Sequence, residues 1–320
     1  MKPPTLLDII QAAERIKPYL NPSPLYTYPT LNEHLGFTAY IKHENYNPTG
    51  AFKIRGGINF ISQLSPEEKK RGVITASTGN HGQSIALASK IFNVDAHICV
   101  PEAANPLKVS AIRMHGAEIH EKGKDFDEAV ENGKRLAREH GYRFINSGNE
   151  PLLIAGVGTI GLEIMQQQPD IDTVISPVGS GTGAGGTATA IKALNPNIKT
   201  ISVQAEKAPS IYMSYNSGRL ESTPTAETFA DGLATRNAFK LPLVILRSHV
   251  DDFILVSEDE MRLAIKLYLE HCHTVAEGAG AASLAAALKL RDELKGKKVA
   301  LVLSGGNITY EELLCCEDNS

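Results

Sequence analysis

The chain has 320 residues, 42% of them hydrophobic and 21% charged, which is the composition of a folded protein of about two domains. A net charge of -4 disfavours nucleic-acid binding, and no apolar run approaches the roughly 18 residues that span a membrane. Four scattered cysteines make no disulfide framework, so we expect a cytoplasmic protein that binds neither nucleic acid nor membrane.

Short strand patterns alternate with longer helical patterns along most of the chain. Thr5 is predicted to cap an opening helix, residues 22–29 an extended connector, and residues 210–235 a long irregular loop. Strands are predicted at residues 73–76, 96–100, 117–120, 143–145, 173–178, 200–203 and 299–303, and helices at residues 80–92, 106–115, 126–140, 152–165, 184–194, 261–269 and 281–290. This alternation predicts an α/β fold with parallel sheets covered by helices on both faces.

Ligands of open parallel sheets bind where a strand ends and a helix begins, and the loop at residues 77–82 has that position. It reads Ser-Thr-Gly-Asn-His-Gly, directly after a predicted strand. Its backbone N–H groups and its polar side chains suit a carboxylate or a phosphate. An ordinary helix cap followed by a tight turn would explain the same residues.

A second loop holds five glycines within residues 179–186. The glycines let the backbone approach an anion, and the helix that follows directs its positive dipole end there, which predicts a phosphate site. Gly181, Gly183 and Gly186 also match the G-x-G-x-x-G pattern, with Glu206 20 residues after the last glycine. A nicotinamide-dependent oxidoreductase is therefore an alternative at this point.

Two further segments carry reactive groups. Residues 303–307, Leu-Ser-Gly-Gly-Asn, follow the last predicted strand and place Ser304 at the carboxyl edge of a sheet. Lys53 lies in the apolar, glycine-flanked segment at residues 47–57. A desolvated lysine has a lowered pKa and can form a Schiff base, although most lysines are solvated.

Together these four segments resemble the fold-type II pyridoxal-phosphate enzymes, in the branch of threonine and serine dehydratases and serine racemases. Residues 48–56 resemble the segment of the Schiff-base lysine, and residues 77–83 the asparagine loop. Residues 179–183 resemble the phosphate-binding loop, and residues 304–307 the segment whose serine meets the pyridine nitrogen. Residues 230–232 and 276–280 resemble elements that line the cofactor. The order along the chain also matches, which makes the oxidoreductase and a non-catalytic amino-acid sensor remote alternatives.

The resemblance implies a tryptophan-synthase-β-like α/β fold of two domains with mostly parallel open sheets. Residues 1–71 and 150–320 would form a large domain that binds pyridoxal 5'-phosphate, and residues 72–149 a small mobile domain. It also implies a homodimer that acts on a small amino acid, converting L-threonine, L-serine or a related β-hydroxy amino acid to a 2-oxo acid and ammonia. A serine, threonine or aspartate racemase is the alternative within the same family.

Site residues follow from the same resemblance. Lys53 would hold the cofactor as a Schiff base and act as the base at Cα, and Thr78 would be the second catalytic residue. The implied cofactor-binding residues are Phe52, Lys53, Asn80, Gly179, Ser180, Gly181, Thr182, Gly183, Gly232, Glu277 and Ser304. The implied substrate-binding residues are Ser77, Thr78, Gly79, Asn80 and His81.

Two departures from the family pattern bear on function. The resembling racemases carry a serine at the position of Thr78, and the β-branched threonine restricts how its hydroxyl is aimed, which favours the dehydratase. Some relatives bind a divalent cation through a glutamate where this chain has Gln204, with Ser210 at a second ligand position and Glu206 out of register. We therefore expect no metal site there.

Overall fold

The computed structural model describes residues 1–316, and its strands form two separate sheets. The strands are β1 (Leu25–Thr27), β2 (Thr38–His43), β3 (Val73–Ala76), β4 (Ala96–Val100), β5 (Glu118–Glu121), β6 (Arg143–Phe144), β7 (Thr173–Pro177), β8 (Lys199–Ala205), β9 (Asp252–Val256) and β10 (Lys298–Leu303). The helices are α1 (Leu6–Ile16), α2 (Pro29–Leu35), α3 (Lys53–Ser62), α4 (Pro66–Arg71), α5 (Asn80–Ile91), α6 (Pro106–Met114), α7 (Phe126–His140), α8 (Pro151–Gln167), α9 (Thr182–Leu194), α10 (Ser210–Ser217), α11 (Lys240–His249), α12 (Glu258–Cys272), α13 (Gly278–Lys289), α14 (Arg291–Leu294) and α15 (Tyr310–Leu314).

The larger sheet has the strand order β1-β2-β10-β7-β8-β9, and every pair except β1–β2 is parallel. Alternate residues of β10 face opposite sides. Leu301 joins a core with α2, α12 and α13, whereas Ala300 and Val302 join a core with α8 and α9. Helices therefore cover both faces, which explains why the central strands are apolar along their length.

The smaller sheet has the order β5-β4-β3-β6 and is wholly parallel. Its strands lie between Val73 and Phe144, inside the range predicted for the small domain. Ile74 and Cys99 pack against α7 on one face, while Val73 and Ile98 on the other face share a core with α3 and α5. The mobility of this part of the chain stays a prediction.

The predicted fold class is confirmed, and the boundaries of the predicted strands and helices agree to within a few residues. Thr5 caps α1 as predicted, because its hydroxyl accepts from Asp8 N (3.4 Å) while the Asp8 carboxylate accepts from Thr5 N (2.7 Å). The extended connector at residues 22–29 contains the edge strand β1.

The prediction of an irregular loop for the whole of residues 210–235 is wrong at its start, where α10 forms. Its serines face inward: Ser210 Oγ donates to Thr235 O, and Ser214 Oγ donates to Ser210 O (2.7 Å). Because serines that make hydrogen bonds occupy these buried positions, the sequence lacks the regular apolar pattern by which a helix is predicted.

Candidate active site

The segments that contain Lys53 and Ser304 are joined by a short antiparallel bridge between Ala51 and Gly305. Phe52 N donates to Ser304 O (3.0 Å), and Gly306 N donates to Gly50 O (2.9 Å). Ser304 directly follows β10, and Lys53 is the first residue of α3. The carboxyl edge of the larger sheet therefore carries both residues, a position that the sequence predicted for Ser304 alone.

The amine of Lys53 lies against the second glycine loop. Its Nζ donates to Thr182 Oγ1 (3.1 Å) and lies 4.9 Å from the centroid of the Phe52 ring. Burial lowers the pKa of Lys53 from 10.5 to about 8. A lysine in this state supplies a neutral amine near physiological pH, which a nucleophile or a general base requires.

The position of α3 is fixed by a buried cluster of charges that sequence reasoning missed. The Arg55 guanidinium donates to both oxygens of Glu44 (2.7 and 2.9 Å) and to both oxygens of Glu163 (2.6 and 2.8 Å). Lys42 Nζ also donates to Glu163 (2.6 Å), which gives two cations and two anions. A buried arginine must be paired with an anion. The position of Arg55 in an apolar segment was therefore the signal from which this cluster could have been predicted.

The glycine loop is shaped so that side chains are excluded from it. A Cβ at Gly183 would lie 2.9 Å from the Phe52 ring, and one at Gly179 would lie 2.0 Å from Gly232 O. Gly181 has a φ of +88°, which favours glycine. The N–H groups at residues 182–184 precede the first intrahelical bond, which Gly185 N donates to Gly181 O (2.9 Å). Free N–H groups and a positive helix end make this loop an anion cradle.

Asn80, the first residue of α5, joins the smaller sheet to the larger one. Its Nδ2 donates to Glu277 Oε1 (2.7 Å), and its Oδ1 accepts from Asn307 Nδ2 (2.7 Å). Burial raises the pKa of Glu277 to about 7, although the bond from Asn80 acts in the opposite direction. Asn80 and Glu277, both predicted to bind the cofactor, are thus in direct contact.

In the asparagine loop, two side chains are engaged in shaping the loop itself. Ser77 Oγ accepts from Gly79 N (3.2 Å) and Gly82 N (2.9 Å). His81 Nε2 lies 3.1 Å from Thr75 Oγ1, whose hydroxyl donates to Ile145 O (2.9 Å), so the ring donates from Nε2. Burial, and then the nearby Lys53, lowers the pKa of His81 to about 3. The His81 ring is therefore neutral, and its Nε2 is directed to β3.

Thr78 and Gly79 remain accessible at the tip of this loop. A Cβ added to Gly79 would meet no atom within 4 Å, so the tip borders open space. Gly232 lies between the glycine loop and the start of α13, since its carbonyl approaches Gly179 and its own Cβ position is 2.7 Å from Ala279 Cβ. The contacts of Lys53 with Thr182, and of Asn80 with Glu277 and Asn307, thus bring the three loops and Lys53 together, and we call the space that they border the cleft.

At the positions where some relatives hold a cation, this chain has neutral side chains in protein hydrogen bonds. Gln204 Oε1 accepts from Tyr212 N (3.0 Å), and Ser210 donates to Thr235 O. Glu206, the acidic residue of the dinucleotide pattern, lies 3.7 Å from Lys289 Nζ. Its carboxylate is thus paired at the surface.

The family model described as "Pyridoxal-phosphate dependent enzyme" matches residues 16–305. The chain belongs to this family. It is 44% identical to an L-threonine ammonia-lyase of Thermotoga maritima, over 95% of this chain and 76% of that protein. It is 39% identical to a serine racemase of Dictyostelium discoideum, over 97% of this chain and 96% of the other. Among solved structures, maize serine racemase superposes with a TM-score of 0.94 at 32% identity, over 98% of this chain and 97% of that one.

The protein is therefore a fold-type II pyridoxal-phosphate enzyme and a lyase, as the sequence predicted. The cleft fits this cofactor: it offers a glycine cradle for a phosphate, a primary amine bonded to that cradle, and a neutral hydroxyl at Ser304. Membership of a pyridoxal-phosphate family argues against the oxidoreductase, and the binding of the cofactor's phosphate by the glycine loop stays a prediction. Within residues 1–316 every helix falls short of the length and apolar content of a membrane-spanning segment.

Proposed function

We propose that this enzyme eliminates water from L-threonine and L-serine and releases a 2-oxo acid and ammonia. The observation that carries the proposal is the Lys53 amine, with a pKa of about 8, held on the glycine loop by Thr182. About one quarter of such an amine is neutral at about pH 7.5 and able to accept the proton from Cα of an amino acid. The relative that is an L-threonine ammonia-lyase supports the choice of substrate.

Pyridoxal phosphate supplies the electron sink for the carbanion that forms at Cα. Backbone N–H groups and hydroxyls at residues 179–183 would hold its phosphate, Asn80 its phenolic oxygen, and Ser304 its ring nitrogen. A serine hydroxyl does not hold a proton on that nitrogen as a carboxylate would. The pair of electrons left at Cα is then used to expel the β-hydroxyl, which favours elimination over transamination.

The substrate carboxylate would bind at the start of α5. Main-chain N–H groups of the asparagine loop, together with the Thr78 hydroxyl, form a neutral site where the positive end of the helix favours an anion. Because Ser77 Oγ already accepts two N–H groups, it can contribute only as a donor through its own hydrogen. The neutral His81 ring orients the loop rather than moving a proton.

Racemisation is the second candidate, because the partly exposed Thr78 carries a hydroxyl and belongs to the loop that would provide a proton donor on the face opposite Lys53. We expect Thr78→Ala to keep most of the 2-oxo acid formation, because one neutral hydrogen bond contributes about 0.5–1.5 kcal/mol, roughly tenfold or less in rate. The same variant removes any racemisation.

A 2-oxo acid assay run beside chiral chromatography of the remaining serine and threonine separates the two activities. Lys53→Ala serves as the inactive control, and Thr78→Ser restores an unbranched hydroxyl. A wild-type enzyme that racemises faster than it eliminates would overturn the dehydratase proposal. Loss of elimination by several orders of magnitude in Thr78→Ala would give Thr78 a part in the main reaction.

We also propose a cytoplasmic homodimer in which residues 72–149 move as a small domain relative to residues 1–71 and 150–320. Free cysteines, two of them buried at Cys99 and Cys272, support a reducing compartment. The exposed Tyr26 on the edge strand β1 offers an apolar surface for a second copy. Light scattering at several protein concentrations measures the oligomeric state.

A further inference from the structure

Two histidines and a glutamate converge on the smaller sheet, away from the cleft. His97 lies on β4, and Glu118 and His120 lie on the edge strand β5. The parallel register places His97 opposite Glu118 and Cys99 opposite His120, so all three side chains are on one face. His97 is near the amino end of β4, whereas the asparagine loop follows the carboxyl end of β3.

Their ligand atoms have the spacing of a metal site. His97 Nδ1 lies 3.0 Å from His120 Nε2 and 3.4 Å from Glu118 Oε2, and His120 Nε2 lies 3.7 Å from Glu118 Oε1. Tetrahedral zinc with bonds of about 2.0–2.1 Å places its ligand atoms about 3.4 Å apart. The separation of the two ring nitrogens and the distance of each nitrogen from one Glu118 oxygen all lie close to this value, so the two rings and either carboxylate oxygen can act as three zinc ligands, and the fourth position is left for water.

The surroundings hold the ligands in place and leave a path for an ion. The His97 ring stacks on Tyr142 (centroids 4.1 Å apart), which stacks in turn on His140 (5.3 Å). The exposed side-chain fraction rises from 9% at His97 to 23% at His120 and 64% at Glu118. A rigid buried histidine with two more accessible partners can bind an ion from solvent with little rearrangement.

We propose that His97, Glu118 and His120 form a site for a divalent transition metal of the zinc class, which fastens the edge strand β5 to β4. The ion binds His97 Nδ1 and His120 Nε2 when both nitrogens are unprotonated, so the ring that donates in their hydrogen bond carries its proton on its other nitrogen instead, and both rings bind in their neutral form. Two imidazoles with one carboxylate select zinc, cobalt or nickel over magnesium, which prefers oxygen ligands.

Metal uptake by the tag-free holoenzyme tests the site. After treatment with a chelator, equilibrium dialysis against Zn²⁺ is expected to give about one strongly bound ion per chain, and dialysis against Mg²⁺ none. Glu118→Gln and His120→Ala are each expected to weaken zinc binding by at least about tenfold. Both are also expected to remove the zinc-dependent rise in the melting temperature.

His34→Ala is the matched control, because the His34 and His271 rings lie 5.5 Å apart on another part of the surface. It is expected to bind zinc as the wild type does. Glu118→Gln changes an exposed side chain, so it decides the result if His120→Ala fails to fold. Wild-type uptake far below one ion per chain, or unchanged zinc affinity in the Glu118 and His120 variants, would overturn the proposal.

Discussion

The protonation of Lys53 links the burial of one amine to the pH range of the enzyme. With a pKa of about 8 in place of 10.5, the neutral fraction at about pH 7.5 is about one quarter instead of about 0.1%. At this pH the neutral amine of Lys53 is thus about two hundred times more abundant than the neutral amine of an ordinary lysine. Because protonation removes the nucleophile, reactivity rises with pH and levels off above the pKa.

Competitive acetylation of the cofactor-free protein, followed by mass spectrometry of the peptide that contains Lys53, measures this titration. An N-acetyl-lysine amide in the same tube is the internal reference. We expect a midpoint near 8 for Lys53, little change in Thr182→Val, and a midpoint displaced toward 10.5 in Phe52→Ala, because burial causes the shift. A wild-type midpoint near 10 would refute this reasoning, as would a Thr182→Val shift as large as that of Phe52→Ala.

Two further predictions concern the cofactor cradle and the small domain. Ser180→Asp is expected to weaken retention of pyridoxal phosphate on dialysis by tenfold or more, since a like charge at ~4 Å costs about 1–4 kcal/mol. Ser180→Asn, of the same size and without the charge, is expected to lose much less, and equal losses would contradict an anion at this loop. Lys108→Ala removes ion pairs from α6 to Asp231 and Glu312 and is expected to raise KM about fivefold or less, because Asp231 is 61% exposed. Lys134→Ala is the control, because the partner of Lys134, Glu131, lies in the same helix. A KM rise in this control as large as that in Lys108→Ala would argue against closure of the small domain.

The alternation of strands and helices was predictable because buried parallel strands are continuous apolar runs. Helix α3 was not, since two glycines and a buried arginine interrupt its pattern, and its stability comes from packing. A Cβ on Gly57 would lie 2.4 Å from Ser84 Oγ, so α3 and α5 touch at a distance that only glycine permits. Tertiary contact of this kind overrides the low helix propensity of glycine.

The site residues were predictable as motifs, but their partners were not. Asn80 and Glu277 are 197 residues apart in sequence, and their hydrogen bond joins the start of α5 to the residue before α13, a contact that neither motif shows by itself. The Ser77 side chain was predicted to bind the substrate, yet in the structure its oxygen accepts the N–H groups of Gly79 and Gly82. A motif therefore indicates which residues gather at a site more reliably than which atom of each residue is free.

The two sides of the cleft are held by interactions of different strength, and this difference suits the reaction. Beside Lys53, the Arg55 cluster is buried, and removing one charge from such a cluster would leave another unpaired at a cost of about 3–5 kcal/mol. Such a cluster adds little net stability when intact, but it permits one position of α3 and hence of the base. Across the cleft, Asn80 makes one hydrogen bond to the Glu277 carboxyl group and one to the Asn307 amide, and Lys108 makes partly exposed ion pairs. Each of these contacts costs about 3 kcal/mol or less to break. In the proposed motion of residues 72–149, the base therefore stays fixed while the asparagine loop moves with the small domain.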